Sequence, residues 1–161
     1  MKRGYTIRAA GFEDVVAIFN LIKQYPKELL PRPISDIVQN IDRFMVCVHK
    51  GKVVGDVSWQ ILPEIGAPRN PSVEIKSLAV ARRHRKVGVG AALVRAAIER
   101  IQATHPAQIV ALTFTPDFFS GLGFMAIPKE KLMHKIYAGC INCTKYDSPW
   151  MCPEVAMVME K

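Results

Sequence analysis

The stretch Val73-Glu74-Ile75-Lys76-Ser77-Leu78-Ala79-Val80, followed by Arg82-Arg83-His84-Arg85-Lys86-Val87-Gly88-Val89-Gly90 and then by Ala91-Ala92-Leu93-Val94-Arg95-Ala96-Ala97-Ile98, decides how this chain folds. Its first part is apolar and rich in β-branched residues. Its last part has apolar residues at helical spacing, and a basic glycine loop lies between them. The order strand, loop, helix aims free backbone N–H groups and the positive end of a helix dipole at one place, where a pyrophosphate is stabilised. Gly88 and Gly90 remove the Cβ atoms that would hold a phosphate off those amides, and Arg85 and Lys86 add mobile positive charge. The plainer alternative is an ordinary turn before a helix. The basic run, together with a preceding strand that carries Glu74, favours a phosphate cradle.

Spacing narrows the kind of cradle. A dinucleotide fingerprint needs a third glycine at position 93, which is Leu, and no Gly-Lys-Ser or Gly-Lys-Thr follows the glycines. What stands here is Arg85-x-x-Gly88-x-Gly90. That pattern resembles the acetyl-CoA loop of the GNAT superfamily of N-acetyltransferases. The resemblance extends to Val53-Val54-Gly55, similar to the family's central hairpin strand, and to Asp117-Phe118-Phe119-Ser120-Gly121-Leu122-Gly123-Phe124, similar to its closing helix and Gly-Phe ending. Further segments are similar to the short, stand-alone amino-acid N-acetyltransferases of the N-acetylglutamate synthase type. They are 30–37, 75–80, 112–119, Met133-His134-Lys135-Ile136-Tyr137 and Cys140-Ile141-Asn142-Cys143. The resemblance implies a GNAT fold, with a mostly antiparallel, splayed sheet flanked by helices. It also implies acetyl-CoA as co-substrate and, as activity, acetylation of an amino acid's α-amine, first of all L-glutamate, at the start of arginine biosynthesis.

Composition agrees with one α+β domain over residues 1–161. Half of the residues are hydrophobic, enough for a core of ordinary size. No apolar run approaches the length of a bilayer span, and the N-terminal residues lack the apolar region of a secretory signal, so a cytoplasmic protein is expected, bound to no membrane. The formal charge of +8 invites a nucleic-acid reading. Arg82, Arg83, Arg85 and Lys86 concentrate four of those charges in one loop, however, with no interleaved aromatic residue to stack on bases. A polyphosphate cofactor accounts for them, and no nucleic-acid partner is expected. A homodimer stays open.

Along the chain, strands are predicted at 5–10, 44–49, 53–62, 73–80, 108–113 and 155–159, with a Lys50-Gly51-Lys52 turn closing a hairpin. Helices are predicted at 12–23, 35–41, 91 to about 104, and 117–122. The prolines at 26, 31 and 33 mark 24–33 as loop, and Pro63 to Pro71 is a second proline-rich loop.

Acetyl transfer requires a held thioester, a deprotonated amine, a stabilised oxyanion and a protonated leaving thiolate. The resemblance assigns Leu78, Ala79 and Val80 to the pantetheine as a free strand edge. It assigns Arg85, Lys86, Val87, Gly88, Val89, Gly90 and Ala91 to the pyrophosphate. Glu74 is the candidate base and Lys76 a candidate ligand for a substrate carboxylate. Strand alternation puts Glu74, Lys76, Leu78 and Val80 on one face, with the first two about 7 Å apart. An exposed ion pair on a solvated face is the alternative. Arg32 sits in a loop stiffened by Pro31 and Pro33; the resemblance to the glutamate-acetylating group implies that it grips a substrate carboxylate with a bidentate fork, the alternative being a surface arginine. Two cations at the acceptor favour a small dicarboxylic amino acid. Many superfamily members carry a tyrosine acid four residues before the Gly-Phe glycine. Phe119 stands there, in the cofactor-binding set but with no proton to give; Thr113, at the end of its strand, is nominated as acid by resemblance to the glutamate group, which has a hydroxyl near the sulfur there, and water alone is the alternative.

His134, Cys140, Cys143 and Cys152 leave a zinc site open beside the alternative of reduced packing cysteines. Cys47 is expected in the core. Three rival functions remain. One is acetylation of another amine, such as glutamine, another amino acid or a protein N-terminus. The second is a non-catalytic acyl-CoA sensor, and the third a basic nucleic-acid module with a zinc knuckle.

Overall fold

The computed structural model describes residues 1–63 and 70–160, so residues 64–69 of the predicted proline-rich loop lie outside it. The chain divides into two compact units. One comprises Met1–Trp59 with Ile75–Arg100, the other Gln60–Glu74 with Ile101–Lys161. Strands β3 (Lys52–Leu62) and β4 (Ser72–Val80) pass through both.

In the first unit, β1 (Tyr5–Ala9) runs antiparallel to β2 (Phe44–His49), from Tyr5↔His49 to Ala9↔Met45, and β2 pairs with β3. The strand order there is β1-β2-β3-β4. The β2–β3 turn is tighter than expected: Lys50 and Gly51 both take positive φ, as a two-residue hairpin turn requires, and Lys52 is already strand. Helix α1 (Val15–Lys23) buries Val15, Ile18, Leu21 and Ile22. Residues Phe12–Asp14, expected inside that helix, form a separate 3₁₀ turn. The Asp14 carboxylate is the reason. It accepts the Gly11 N–H at 2.8 Å and both Arg8 Nη atoms at 2.7 and 2.9 Å, which fixes the chain before the helix and leaves Phe12 outside. Helix α2 (Ile34–Gln39) follows Pro33 directly, and a 3₁₀ turn at Ile41–Arg43 takes what was expected as its end. Val15, Ile18, Ile22, Ile37, Phe44 and Val46 form one core cluster.

Helix α3 (Val89–Gln102) begins two residues earlier than its apolar stripe suggested, so Val89 and Gly90 are its first turn. Val89 is buried, with Leu93, Val94 and Ala97 in register behind it. Gly55 lets α3 come close to β3. A Cβ there would meet Leu93 Cδ1 at 2.9 Å and Val89 Cγ1 at 3.2 Å.

In the second unit, β5 (Gln108–Thr113) lies parallel to β4 at Val73↔Ile109 and Glu74↔Val110, and antiparallel to β7 (Val155–Glu160) along its length. Strand β6 (Met125–Ile127) pairs with the other side of β7, giving the order β4-β5-β7-β6. The seven strands are therefore of mixed direction. Helices α4 (Pro116–Ser120) and α5 (Met133–Ala138) are short. Neither β6 nor α5 was expected, because three and six residues are too few to display a period. Leu62, Val110, Leu132, Ala156 and Val158 make this unit's core cluster.

Candidate active site

The glycine loop of the first unit has the backbone a cradle needs. Lys86 and Gly88 take positive φ, 62° and 91°, and the Ala92 N–H donates to Gly88 O at 3.0 Å as α3 starts. A Cβ at Gly88 would meet the Met1 backbone at 3.3 Å besides straining that φ. Gly88 and Lys86 are exposed, Val87, Gly90 and Ala91 half-buried, and Val89 belongs to the core. Arg85 is not the mobile charge expected of it. Its Nε donates to Val80 O at 2.9 Å, its guanidinium lies 4.5 Å above the Tyr25 ring, and its Nη2 is 3.6 Å from Glu28. Leu78 and Val80 are half-buried and Ala79 is buried.

Arg32 is not a surface arginine; only 11% of its side chain is exposed. Its Nε donates to the Asp36 carboxylate at 2.6 Å, its Nη1 to Ser58 Oγ at 2.7 Å and Ser77 Oγ at 3.3 Å, and the guanidinium lies 4.9 Å from the Phe44 ring centre. Nη2 takes no protein partner among the described residues. The hydrogen bond from Arg32, together with the charges of Arg32 and Lys76, holds the Asp36 carboxyl below its usual range. Lys76 thus lies in the same electrostatic neighbourhood. Cross-strand register puts Asp56 and Ser58 of β3 on the face of Val46 and Phe44. Asp56 is fully buried, both its oxygens lack hydrogen-bond partners, and burial pushes its carboxyl well above the usual range despite the opposing charge of Arg32.

The expected alternation along β4 does not hold. Ser77 has φ +54°, which breaks the two-residue period, so Glu74 and Lys76 do not continue onto one face with Leu78 and Val80. Nor is Glu74 on a solvated face. It is buried in the second unit, and its partner is the half-buried Lys135 of α5, whose Nζ is 2.7 Å from Glu74 Oε2. Burial pulls the Lys135 ammonium down. The charge and hydrogen-bonding of Glu74 outweigh it and hold the ammonium above its ordinary value.

Thr113, at the end of β5, is buried. Its Oγ1 accepts the Thr115 N–H at 2.9 Å and lies 3.1 Å from Thr115 Oγ1. Phe119 is buried edge-on against Phe118 and Phe124. Cys47 is core, as expected. Cys140, Cys143 and Cys152 are free thiols, and His134 Nε2 is buried without a partner. Among the described residues, no three His, Cys, Asp or Glu side chains are arranged to hold a metal. No helix there is long and apolar enough to cross a membrane.

Sequence reasoning missed Asp36, Ser58, Ser77, Asp56 and Lys135. Asp36 stands four residues after Arg32, a pairing distance on a helix, and was open to discovery. The others come from distant strands and helices.

This chain belongs to the acetyltransferase (GNAT) family, whose model matches residues 12–124. It is an N-acetyltransferase with acetyl-CoA as co-substrate, and its sheet and helices have the GNAT fold. An uncharacterized N-acetyltransferase of Chlorobaculum tepidum is 32% identical over 154 residues, covering 94% of each chain. Rv2747 of Mycobacterium tuberculosis, solved in complex with CoA and NLQ, superposes with a TM-score of 0.79 at 23% identity, over 97% of this chain and 99% of that one. N-acetylglutamate synthase of Neisseria gonorrhoeae, complexed with coenzyme A and N-acetyl-glutamate, gives 0.78 at 20% identity, over 99% of this chain but 36% of that one. At these identities the two structures establish the fold.

Proposed function

We propose that the chain transfers acetyl from acetyl-CoA to the α-amine of L-glutamate, the reaction that opens arginine biosynthesis. The observation that carries this reading is Arg32, half-buried and braced by Asp36, Ser58 and Ser77 with Nη2 unengaged, and with Lys76 near the same carboxylate. Two cations so arranged suit an acceptor with two carboxylates. The fold shared with an N-acetylglutamate synthase supports it.

In this reading the exposed amides of the glycine loop take the pyrophosphate, and the edge at Leu78–Val80 takes the pantetheine. Glu74 removes a proton from the glutamate ammonium, directly or through water. The amine nitrogen then attacks the thioester carbonyl, the C–N bond forms, and the C–S bond breaks from the tetrahedral intermediate. As the C–S bond breaks, the nitrogen loses its second proton, which reaches the departing thiolate through the Thr113 hydroxyl or through water, giving the neutral amide and the CoA thiol. A thiol-release assay with acetyl-CoA against a panel of amino acids tests the reading, and glutamate should be turned over fastest.

One observation favours a second reading, a non-catalytic acyl-CoA sensor. Phe119 fills the position where a tyrosine acid is expected and is packed into an aromatic cluster. A sensor would bind acetyl-CoA and release no thiol with any amine.

A further inference from the structure

The reaction assigned to Glu74 leaves the burial of that carboxylate unexplained. Its side chain is 6% exposed, and an isolated carboxylate so placed would take up a proton and lose its function as a base. Lys135 is 12% exposed and reaches it from α5, far along the chain, at 2.7 Å. The pair does not stand alone. Glu154, just before β7, and the Cys140 and Cys152 thiols act electrostatically on Lys135 or its immediate surroundings. Burial raises the Glu154 carboxyl, and the nearby Glu74 charge adds to that, while Lys135 and Lys129 oppose it. Lys129 Nζ in turn donates to the Pro149 and Cys152 carbonyls, and Cys152 Sγ lies 3.7 Å from Glu154 Oε2. One ammonium thus acts on two carboxyl groups, the buried Glu74 in direct contact and the half-buried Glu154 through its charge.

We infer that Lys135 is a positioning residue for acetyl transfer, pairing with Glu74 at 2.7 Å and orienting it as the base. The inference rests on Glu74 being that base. Lys135 acts through Glu74, the group it contacts. Without it, the buried carboxylate loses the cation it is paired with, and the fraction of competent enzyme falls.

The test is the pH dependence of kcat and kcat/KM for Lys135→Met, Lys135→Arg, Glu74→Gln and the double variant Glu74→Gln/Lys135→Met. Lys135→Met should lower kcat at least about tenfold at neutral pH, with the acid limb moved to higher pH and activity recovering as pH rises. Acetyl-CoA affinity should not change. Lys135→Arg should restore much of the rate. In the Glu74→Gln background, removing Lys135 should cost almost nothing further, because both charges leave together. Should Lys135→Met fail to fold, Lys135→Arg and the double variant carry the test. A loss that is equal at every pH, or equally large in the Glu74→Gln background, overturns the inference. If Glu74→Gln is crippled while Lys135→Met keeps the wild-type profile, this inference falls and the base assignment stands. If Glu74→Gln is fully active, the base assignment itself falls, and this inference with it.

Discussion

The Arg32 guanidinium donates through Nε to the Asp36 carboxylate at 2.6 Å, so the cation proposed to grip the acceptor already holds an acid of its own chain. The pair lies four residues apart, and Ser58 and Ser77 fix Nη1 from two strands. An arginine braced at three of its donors loses little further freedom when a ligand arrives at the remaining nitrogen.

Removing that cation gives the first prediction. Charge-assisted hydrogen bonds contribute roughly 1.5–3 kcal/mol, so Arg32→Ala should cost about 10- to 100-fold in kcat/KM for glutamate. Acetyl-CoA affinity should stay unchanged. Asp36→Asn keeps an acceptor for Nε and should affect kcat/KM far less. If steady-state kinetics show Arg32→Ala equal to wild type, Arg32 does not bind the acceptor.

The second prediction concerns the glycine loop. Gly88→Val places a side chain at φ +91° against the Met1 backbone and over the exposed amides, so acetyl-CoA binding should weaken sharply. Arg85→Ala should weaken it less, because Arg85 is engaged with Val80, Tyr25 and Glu28. Calorimetry on the folded variants decides. Unchanged affinity in Gly88→Val would show that the phosphates bind elsewhere.

Much of this was legible in the sequence, and the pattern of what was not is instructive. The strand, glycine loop and helix of 73–98 announce themselves locally, through β-branching, glycine and helical spacing. The hairpin at 50–52 does so as well. The positive φ of Ser77 had no such signal, since serine is not a residue that marks left-handed backbone, and the face assigned to Glu74 and Lys76 was therefore extrapolated too far. Lys135 was read as part of a similar segment, but its pairing with Glu74 depends on how distant elements pack. Charge type does not encode it. The burial of Asp56 was equally hidden, because an aspartate in a strand reads as solvent-facing.

Asp56 supplies a prediction about stability. Its folded-state carboxyl titrates well above the unfolded one, which lies at about pH 4. The folded state therefore favours the protonated acid. That contribution is complete below about pH 4 and is lost as pH rises through the elevated folded value. Asp56→Asn cannot ionise and should escape the loss. In denaturant titrations across pH, the variant's stability relative to wild type should rise from acid toward neutral pH. A difference that stays flat would mean Asp56 is ionised in the fold.

Glu74→Gln preserves shape and removes the base. The expected fall in kcat is about 10²-fold or more, with acetyl-CoA affinity retained. The deficit should shrink at high pH, where free amine is plentiful. A deficit of the same size at every pH would make Glu74 a structural residue.

The most direct measurement is thiol release from acetyl-CoA by the wild-type protein with glutamate, glutamine, the remaining amino acids and a peptide N-terminus as acceptors. L-Glutamate should give the highest kcat/KM, with N-acetylglutamate as product. A protein that preferred an uncharged amine or a peptide over every acidic amino acid would contradict the glutamate assignment, and one that released no thiol with any acceptor would contradict catalysis altogether.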